Sequence, residues 1–165
     1  MPQEAAILLI EDEPEIRRFL RTTLPAHGFR FHEAVTGRDG LAEAKARNPD
    51  LILLDLGLPD VEGNEVIRQI REWTTTPIIV LSARDQEHAK VAALDLGADD
   101  YVTKPFEKLD LTARIHRAMR ISEILFRYEP PQHSETLVFK ELVGVSPAFQ
   151  NVTTMISAAA RVQST

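Results

Sequence analysis

Three carboxylates, a hydroxyl and a lysine stand at the ends of four apolar runs. Ile7-Leu8-Leu9-Ile10 ends in Glu11-Asp12-Glu13, Leu51-Ile52-Leu53-Leu54 in Asp55, and Ile78-Ile79-Val80-Leu81 in Ser82, while Tyr101-Val102-Thr103 leads into Lys104-Pro105. In a parallel sheet the carboxyl ends of the strands share one edge, where open α/β folds place their sites. Glu11, Asp12, Asp55, Ser82 and Lys104 are therefore expected in one small pocket. Each acid alone reads as readily as a solvated loop residue; their common position at strand ends carries the functional reading. Like charges held close repel unless a cation sits among them. Oxygen donors without His or Cys select a hard ion such as Mg²⁺, and Gly57 offers a backbone carbonyl as a further ligand. A carboxylate can attack a phosphoryl group to form an acyl phosphate. Asp55 is the best nucleophile, because its strand is expected to be central. The metal and Lys104 would neutralise charge on the transferring oxygens. Ser82 could then donate to a phosphoryl oxygen, and Tyr101 could rotate inward to fill the space left behind, forming a two-state element.

The elements needed to position these groups can be read along the chain. Strand patterns cover residues 6–11, 30–35, 51–55, 77–82 and 100–103. Short apolar runs of this kind suit strands buried on both faces. Helical patterns lie between them. Residues 14–26 open with Pro14 and place Ile16, Phe19, Leu20 and Leu24 on one face; residues 64–73 turn Val66, Ile67, Ile70 and Trp73 inward; residues 85–96 put Val91, Ala92 and Leu94 on or near a buried face. Gly28 and Gly97 follow helices, where a positive φ is common. Five strands alternating with five helices predict a doubly wound, flavodoxin-like α/β sandwich, with a short C-terminal extension.

The chain has 165 residues, 44% of them hydrophobic and 27% charged, as in a soluble globular domain. A net charge of −6 disfavours direct nucleic-acid binding. The absence of cysteine excludes disulfides and thiolate metal sites. No run is long and apolar enough to cross a membrane, and the first residues lack a signal-peptide pattern, so a cytoplasmic location is expected. His27, His32, His88, His116 and His133 are scattered without metal-ligand spacing. Residues 108–127 form a long helical pattern in which Leu111, Ile115, Ala118, Ser122 and Leu125 recur at near-heptad spacing. Its second half, with Ile121, Ile124, Leu125 and Phe126, extends past the expected sheet and favours a dimer partner. Tyr128 to Ser134 reads as a linker around paired prolines. Residues 135–165 hold one helical pattern opened by Ser146-Pro147, too little for an independent domain.

The motifs Ile10-Glu11-Asp12-Glu13, Leu53-Leu54-Asp55-Leu56 with Pro59 and Gly63, Leu81-Ser82-Ala83 and Lys104-Pro105-Phe106 resemble, in order and spacing, the receiver domain of bacterial two-component response regulators. The resemblance covers about residues 5–122. It implies Asp55 as phosphoacceptor, Glu11 and Asp12 as metal-site acids, Ser82 and Tyr101 as a switch pair, Lys104 as the phosphoryl-contacting lysine, a cis bond before Pro105, and a phosphohistidine donor on a sensor histidine kinase. In receivers the first helix commonly meets the kinase, which gives Arg17, Arg18 and Arg21 a docking reading beside that of a solvated face. Glu15 to Arg21, Asp55 to Asp60 and Leu81 to Arg84 resemble the Kdp-regulator subgroup of winged-helix regulators. Receivers of that class dimerise through the fourth helix, fifth strand and fifth helix, which implies a dimer face at Lys90, Asp95, Asp99, Asp110 and Arg114. The apolar residues Val91, Ala92, Leu94 and Leu111 would join that face or belong to the core.

The tail departs from that subgroup. Leu142-Val143-Gly144-Val145-Ser146-Pro147-Ala148-Phe149-Gln150 resembles the opening of the AAA+ domain of enhancer-binding transcription activators. No G-x-x-x-x-G-K-[ST] loop occurs, so no ATP binding is expected. The expected organisation is a receiver over 1–122, a helix extension and linker over 123–134, and an activator-like fragment over 135–165. The expected function is that of a phosphoacceptor, not an enzyme with turnover, that switches dimerisation and transcription, reaching DNA only through an output domain beyond this chain. A phosphorelay shuttle or protein-contact regulator is the alternative. A phosphohydrolase with an aspartyl nucleophile ranks lower, since the acid-base Asp such enzymes carry two residues on is here Gly57. With no side chain at Gly57 to orient water, slow loss of the phosphoryl group is expected.

Overall fold

The computed structural model describes residues 4–127, with side chains as far as Ile124. Its elements run β1 (Ala6–Ile10), α1 (Pro14–Ala26), β2 (Arg30–Ala34), α2 (Gly37–Arg47), β3 (Leu51–Asp55), α3 (Gly63–Arg71), β4 (Ile78–Ser82), α4 (Glu87–Asp95), β5 (Asp100–Thr103) and α5 (Lys108–Arg127). The five strands form one parallel sheet in the order β2-β1-β3-β4-β5. Order reverses on either side of β1, so β1 and β3 flank the switch point at which such sheets bind ligands.

Helices cover both faces of the sheet, which is why β1, β3 and β4 are buried along their whole length. On one face Ile7, Leu9, Leu51, Leu53, Ile79, Leu81 and Val102 pack against Leu20 and Leu24 of α1 and Leu111 and Ile115 of α5. On the other, Leu8, Ile10, Ile52, Leu54, Ile78 and Val80 pack against α2, Val66, Ile67 and Ile70 of α3, and Ala93 of α4. Local signals set the helix ends. Pro14 occupies the first turn of α1, Thr36 Oγ1 accepts the Asp39 N–H at 3.1 Å to cap α2, and Gly28 takes φ +81° after α1.

Register carries the strand ends to one edge. Ile10 lies opposite Leu54, Asp55 opposite Leu81, and Ser82 opposite Thr103. Glu11, Asp55, Ser82 and Lys104 therefore emerge side by side. The Lys104–Pro105 peptide is cis, as the resemblance implied.

The helix interiors differ from the sequence reading in three places. Trp73 lies beyond the end of α3 and is 37% exposed, with Lys45 Nζ 5.8 Å from its ring centroid. It is outside the core because the helical repeat stops at Arg71. Phe19 is half-exposed and meets Phe106 at a centroid distance of 6.3 Å, so it rests on the β5–α5 loop instead of the sheet. In α4 the buried residue is Ala93, which leaves Val91 47% exposed and Ala92 exposed with it, and only Leu94 partly packed. Leu111 belongs to the core. The Leu125 side chain, the linker and the activator-like tail lie outside the described residues.

Candidate functional site

The pocket is built from three loops. The β1–α1 loop supplies Glu11 and Asp12, the end of β3 supplies Asp55, and the β5–α5 loop supplies Lys104. One carboxylate oxygen from each of Glu11, Asp12 and Asp55 lies within 4.8 Å of the others. Glu11 is fully buried and Asp55 is 5% exposed. Lys104 Nζ lies 2.7 Å from Glu11 Oε2, 2.7 Å from Glu13 Oε1 and 3.6 Å from Asp55 Oδ1.

The lysine's contacts are not equivalent. Lys104 Nζ pairs at 2.7 Å both with the half-exposed Glu13 and with the fully buried Glu11, so only the Glu11 pair is shielded from water. Glu11 Oε2 is buried and meets the Lys104 ammonium. Glu11 Oε1 accepts the Glu13 N–H at 3.0 Å. Burial raises the Glu11 carboxyl above its usual range; Lys104 and the Glu13 N–H oppose that rise, and the Asp55 charge adds to it. Burial alone would pull Lys104 down, but Glu11, Glu13 and Asp55 outweigh it and hold the ammonium above its usual value. The lysine is therefore a fixed cation at neutral pH.

A close set of carboxylate oxygens with no nitrogen or sulfur donor among them is what a hard cation selects. Mg²⁺ fits these residues, with Glu11, Asp12 and Asp55 as its protein ligands or as acceptors for its waters. Gly57 lies beside Asp55: a Cβ placed on it would be 3.5 Å from Asp55 Oδ2.

Ser82 is buried, and its Oγ accepts the Arg84 N–H at 3.1 Å. Tyr101 is 6% exposed and donates its phenol hydrogen to the Arg84 carbonyl at 2.7 Å. The ring is thus already turned inward, in contact with the α3–α4 side of the core. The sequence reading instead had it moving in after Ser82 shifts. Ala93 and Ala98 belong to the same core cluster as the ring.

The expected dimer face divides. Asp99 is taken up within the chain, accepting from Arg71 at 2.9 Å and from the Ile78 N–H at 2.8 Å. Arg114 pairs with Asp110 at 3.0 Å and doubly with Asp100 at 2.9 Å, and Arg117 joins Asp100 at 2.9 Å. Among the described residues Lys90 and Asp95 form no ion pair.

Several contributors escaped the sequence reading. Glu13 was read only as part of an acidic run. Arg17 was read as a docking residue or a solvated charge, yet its guanidinium reaches back to the carbonyls of Glu11 and Asp12. Asp60 accepts the N–H groups of Gly37 and Arg38 at 2.7 and 3.0 Å, tying the loop after Asp55 to the start of α2. A basic residue one turn into a helix that follows an acidic loop, and an Asp after Leu-Pro, are signals that could have pointed to the last two.

The response regulator receiver domain family matches residues 7–116. The KDP operon transcriptional regulatory protein KdpE of Escherichia coli (strain K12) is 57% identical over 114 residues, covering 69% of this chain and 51% of that protein. The transcriptional regulatory protein KdpE of Mycobacterium tuberculosis (strain ATCC 25618 / H37Rv) is 46% identical over 125 residues, covering 76% and 55%. The chain thus spans about half the length of these curated relatives. Among solved structures, the CheY-like response regulator receiver domain protein from Methanospirillum hungatei JF-1 superposes with TM-score 0.71 at 27% identity, covering 74% of this chain and 99% of that one. None of these supports an AAA+ assignment for the tail.

Proposed function

The chain belongs to the response regulator receiver domain family, and we propose that it accepts a phosphoryl group on Asp55 from the phosphohistidine of a sensor kinase. The observation that supports this most is the close set of Glu11, Asp12 and Asp55 oxygens with Lys104 Nζ 3.6 Å from Asp55 Oδ1.

Each group has one task in this reading. An Asp55 oxygen attacks phosphorus in line with the leaving imidazole. A bound Mg²⁺ would supply positive charge to the transferring oxygens. Lys104, already protonated and held by Glu11 and Glu13, donates to a phosphoryl oxygen without having to reorganise. Ser82 uses its oxygen lone pair on the Arg84 N–H, so its hydroxyl hydrogen is free to donate to the phosphoryl group. A modified Asp55 carries more charge and more acceptor oxygens than a carboxylate. Its pull on Ser82 reaches Arg84, and through the Arg84 carbonyl reaches Tyr101.

The output we propose is transcriptional control within a longer protein, in keeping with the names of the curated relatives. The dimer surface would be α4–β5–α5. Lys90, Asp95 and the exposed Val91 and Ala92 are free to meet a second copy, and Asp110 and Arg114 can exchange partners across it. Asp99 is the weakest member of that set, because Arg71 already holds it.

Light scattering of the chain with Mg²⁺, before and after beryllofluoride, tests the reading. Beryllofluoride is expected to convert monomer to dimer in the unmodified chain and to leave Asp55→Asn unchanged. A monomer that binds beryllofluoride without associating would move the output to a phosphorelay or a contact with another protein.

A further inference from the structure

We infer that Arg17 is a positioning residue for the cation site, setting the aim of the Asp12 carboxylate without touching it. This inference rests on reading the acidic pocket as a divalent-cation site. Arg17 lies in α1, yet its guanidinium turns back over the β1–α1 loop. The same terminal nitrogen donates to the Glu11 carbonyl at 3.1 Å and to the Asp12 carbonyl at 2.5 Å. It thereby clamps two successive peptide groups whose side chains are both members of the acidic cluster.

The rest of the loop shows why that clamp matters. Glu11 is anchored several times over: its N–H donates to the Ala34 carbonyl at 3.0 Å, its Oε1 accepts the Glu13 N–H, and its Oε2 faces Lys104. Asp12 has no such anchors. Its carboxylate makes no hydrogen bond or ion pair with the described residues. Among the described residues its carbonyl accepts from Arg17 alone. Glu13, the N-cap of α1, makes no side-chain cap bond that would stiffen the turn from the other side. The backbone from which the Asp12 side chain projects is held on its carbonyl side by Arg17, which meets both flanking peptides, while Glu11 Oε1 meets only the second of them through the Glu13 N–H. The guanidinium also brings a positive charge to a loop that carries three consecutive acids.

A cation needs its ligands preplaced, and groups that orient ligands typically influence affinity about 10–100-fold when removed. Arg17→Ala should therefore weaken Mg²⁺ binding by at least about tenfold. Arg17→Lys should recover part of the loss, because an ammonium keeps the charge and donors but is more strongly hydrated and less rigidly held than the planar guanidinium. The control is Arg68→Ala, which removes the same charge from an exposed α3 residue paired with Glu65.

The experiment is an NMR titration of the 165-residue chain with Mg²⁺ alone, read at the amides of Glu11 to Glu13 and of Asp55, with amide hydrogen exchange in the metal-free state. The inference expects weakened Mg²⁺ binding in Arg17→Ala, an intermediate constant in Arg17→Lys, and an unchanged one in Arg68→Ala. It also expects faster exchange confined to the Asp12–Glu13 turn, with the β4 amides unaltered. Unchanged Mg²⁺ affinity in Arg17→Ala overturns the inference while the cation site stands. An unmodified chain that takes no Mg²⁺ removes the cation site, and the inference with it. Should Arg17→Ala not fold, the Arg17→Lys constant decides: equality with the unmodified chain overturns the inference.

Discussion

Tyr101 donates its phenol hydrogen to the backbone carbonyl of Arg84 at 2.7 Å, and the amide of that same residue donates to Ser82 Oγ at 3.1 Å. The backbone of Arg84 thus joins the buried Ser82 hydroxyl to the Tyr101 ring. Tyr101→Phe keeps the buried ring and deletes the bond. We expect a loss of about 0.5–1.5 kcal/mol in stability and, at saturating beryllofluoride, a smaller dimer fraction by sedimentation. An unchanged dimer fraction would detach Tyr101 from the output.

Asp55→Asn is expected to accept no phosphoryl group from a small-molecule phosphodonor while keeping its far-UV circular dichroism. The substitution preserves shape and removes one of three clustered negative charges. In metal-free buffer its melting temperature should therefore be no lower than that of the unmodified chain. Retained phosphorylation, read by intact mass, would place the acceptor elsewhere.

Lys104→Gln leaves the fully buried Glu11 facing a neutral group. Removing one partner of a buried pair costs about 3–5 kcal/mol, so urea denaturation should show a large fall in stability. Glu11→Gln added to it removes the stranded charge and should restore part of that loss. Strict additivity of the two substitutions would mean that the pair is not coupled.

Asp60 tests the tie between the loop after Asp55 and α2. Burial would raise its carboxyl, but the N–H groups of Arg38, Gly37 and Val61 outweigh that and hold it below its usual value. A depressed carboxyl contributes stability that is present above its unfolded pKa and is lost as pH falls through the folded one. Asp60→Asn should therefore be less stable than the unmodified chain at pH 7, with the difference shrinking under acid, as thermal melts at pH 7 and below pH 4 would show. A pH-independent difference would deny the carboxylate its role.

Gly63 allows the backbone of α3 to sit against the strand that carries Asp55. A Cβ there would come within 2.5 Å of Leu56 Cα and 2.7 Å of the Asp55 carbonyl oxygen, both backbone atoms with little freedom to move. Gly63→Ala is expected to destabilise by about 1–3 kcal/mol and to slow phosphorylation more than Gly57→Ala, whose Cβ meets only Asp55 Oδ2 at 3.5 Å. Phosphorylation rates for the two variants, measured side by side, decide this.

Much of the molecule is written in the sequence because its signals are local. Continuous apolar runs such as Leu51–Leu54 specify strands buried on both faces, and the polar residue after each run must then lie on the sheet edge. That reasoning reaches Glu11, Asp12, Asp55, Ser82 and Lys104 before any coordinate is known. What the sequence could not decide depends on groups that are distant along the chain or on which way a flexible side chain turns. Arg17 reads as a docking residue or a solvated charge until the α1 axis is placed over the loop. Asp60 reads as a turn residue until α2 presents its unpaired N–H groups. Trp73 reads as core until α3 stops at Arg71, and Asp99 reads as a free charge until Arg71 reaches it. Periodicity along the chain determines which residues lie on an edge or a face, whereas the partner each polar group takes is decided only when the tertiary fold brings separated segments within bonding distance.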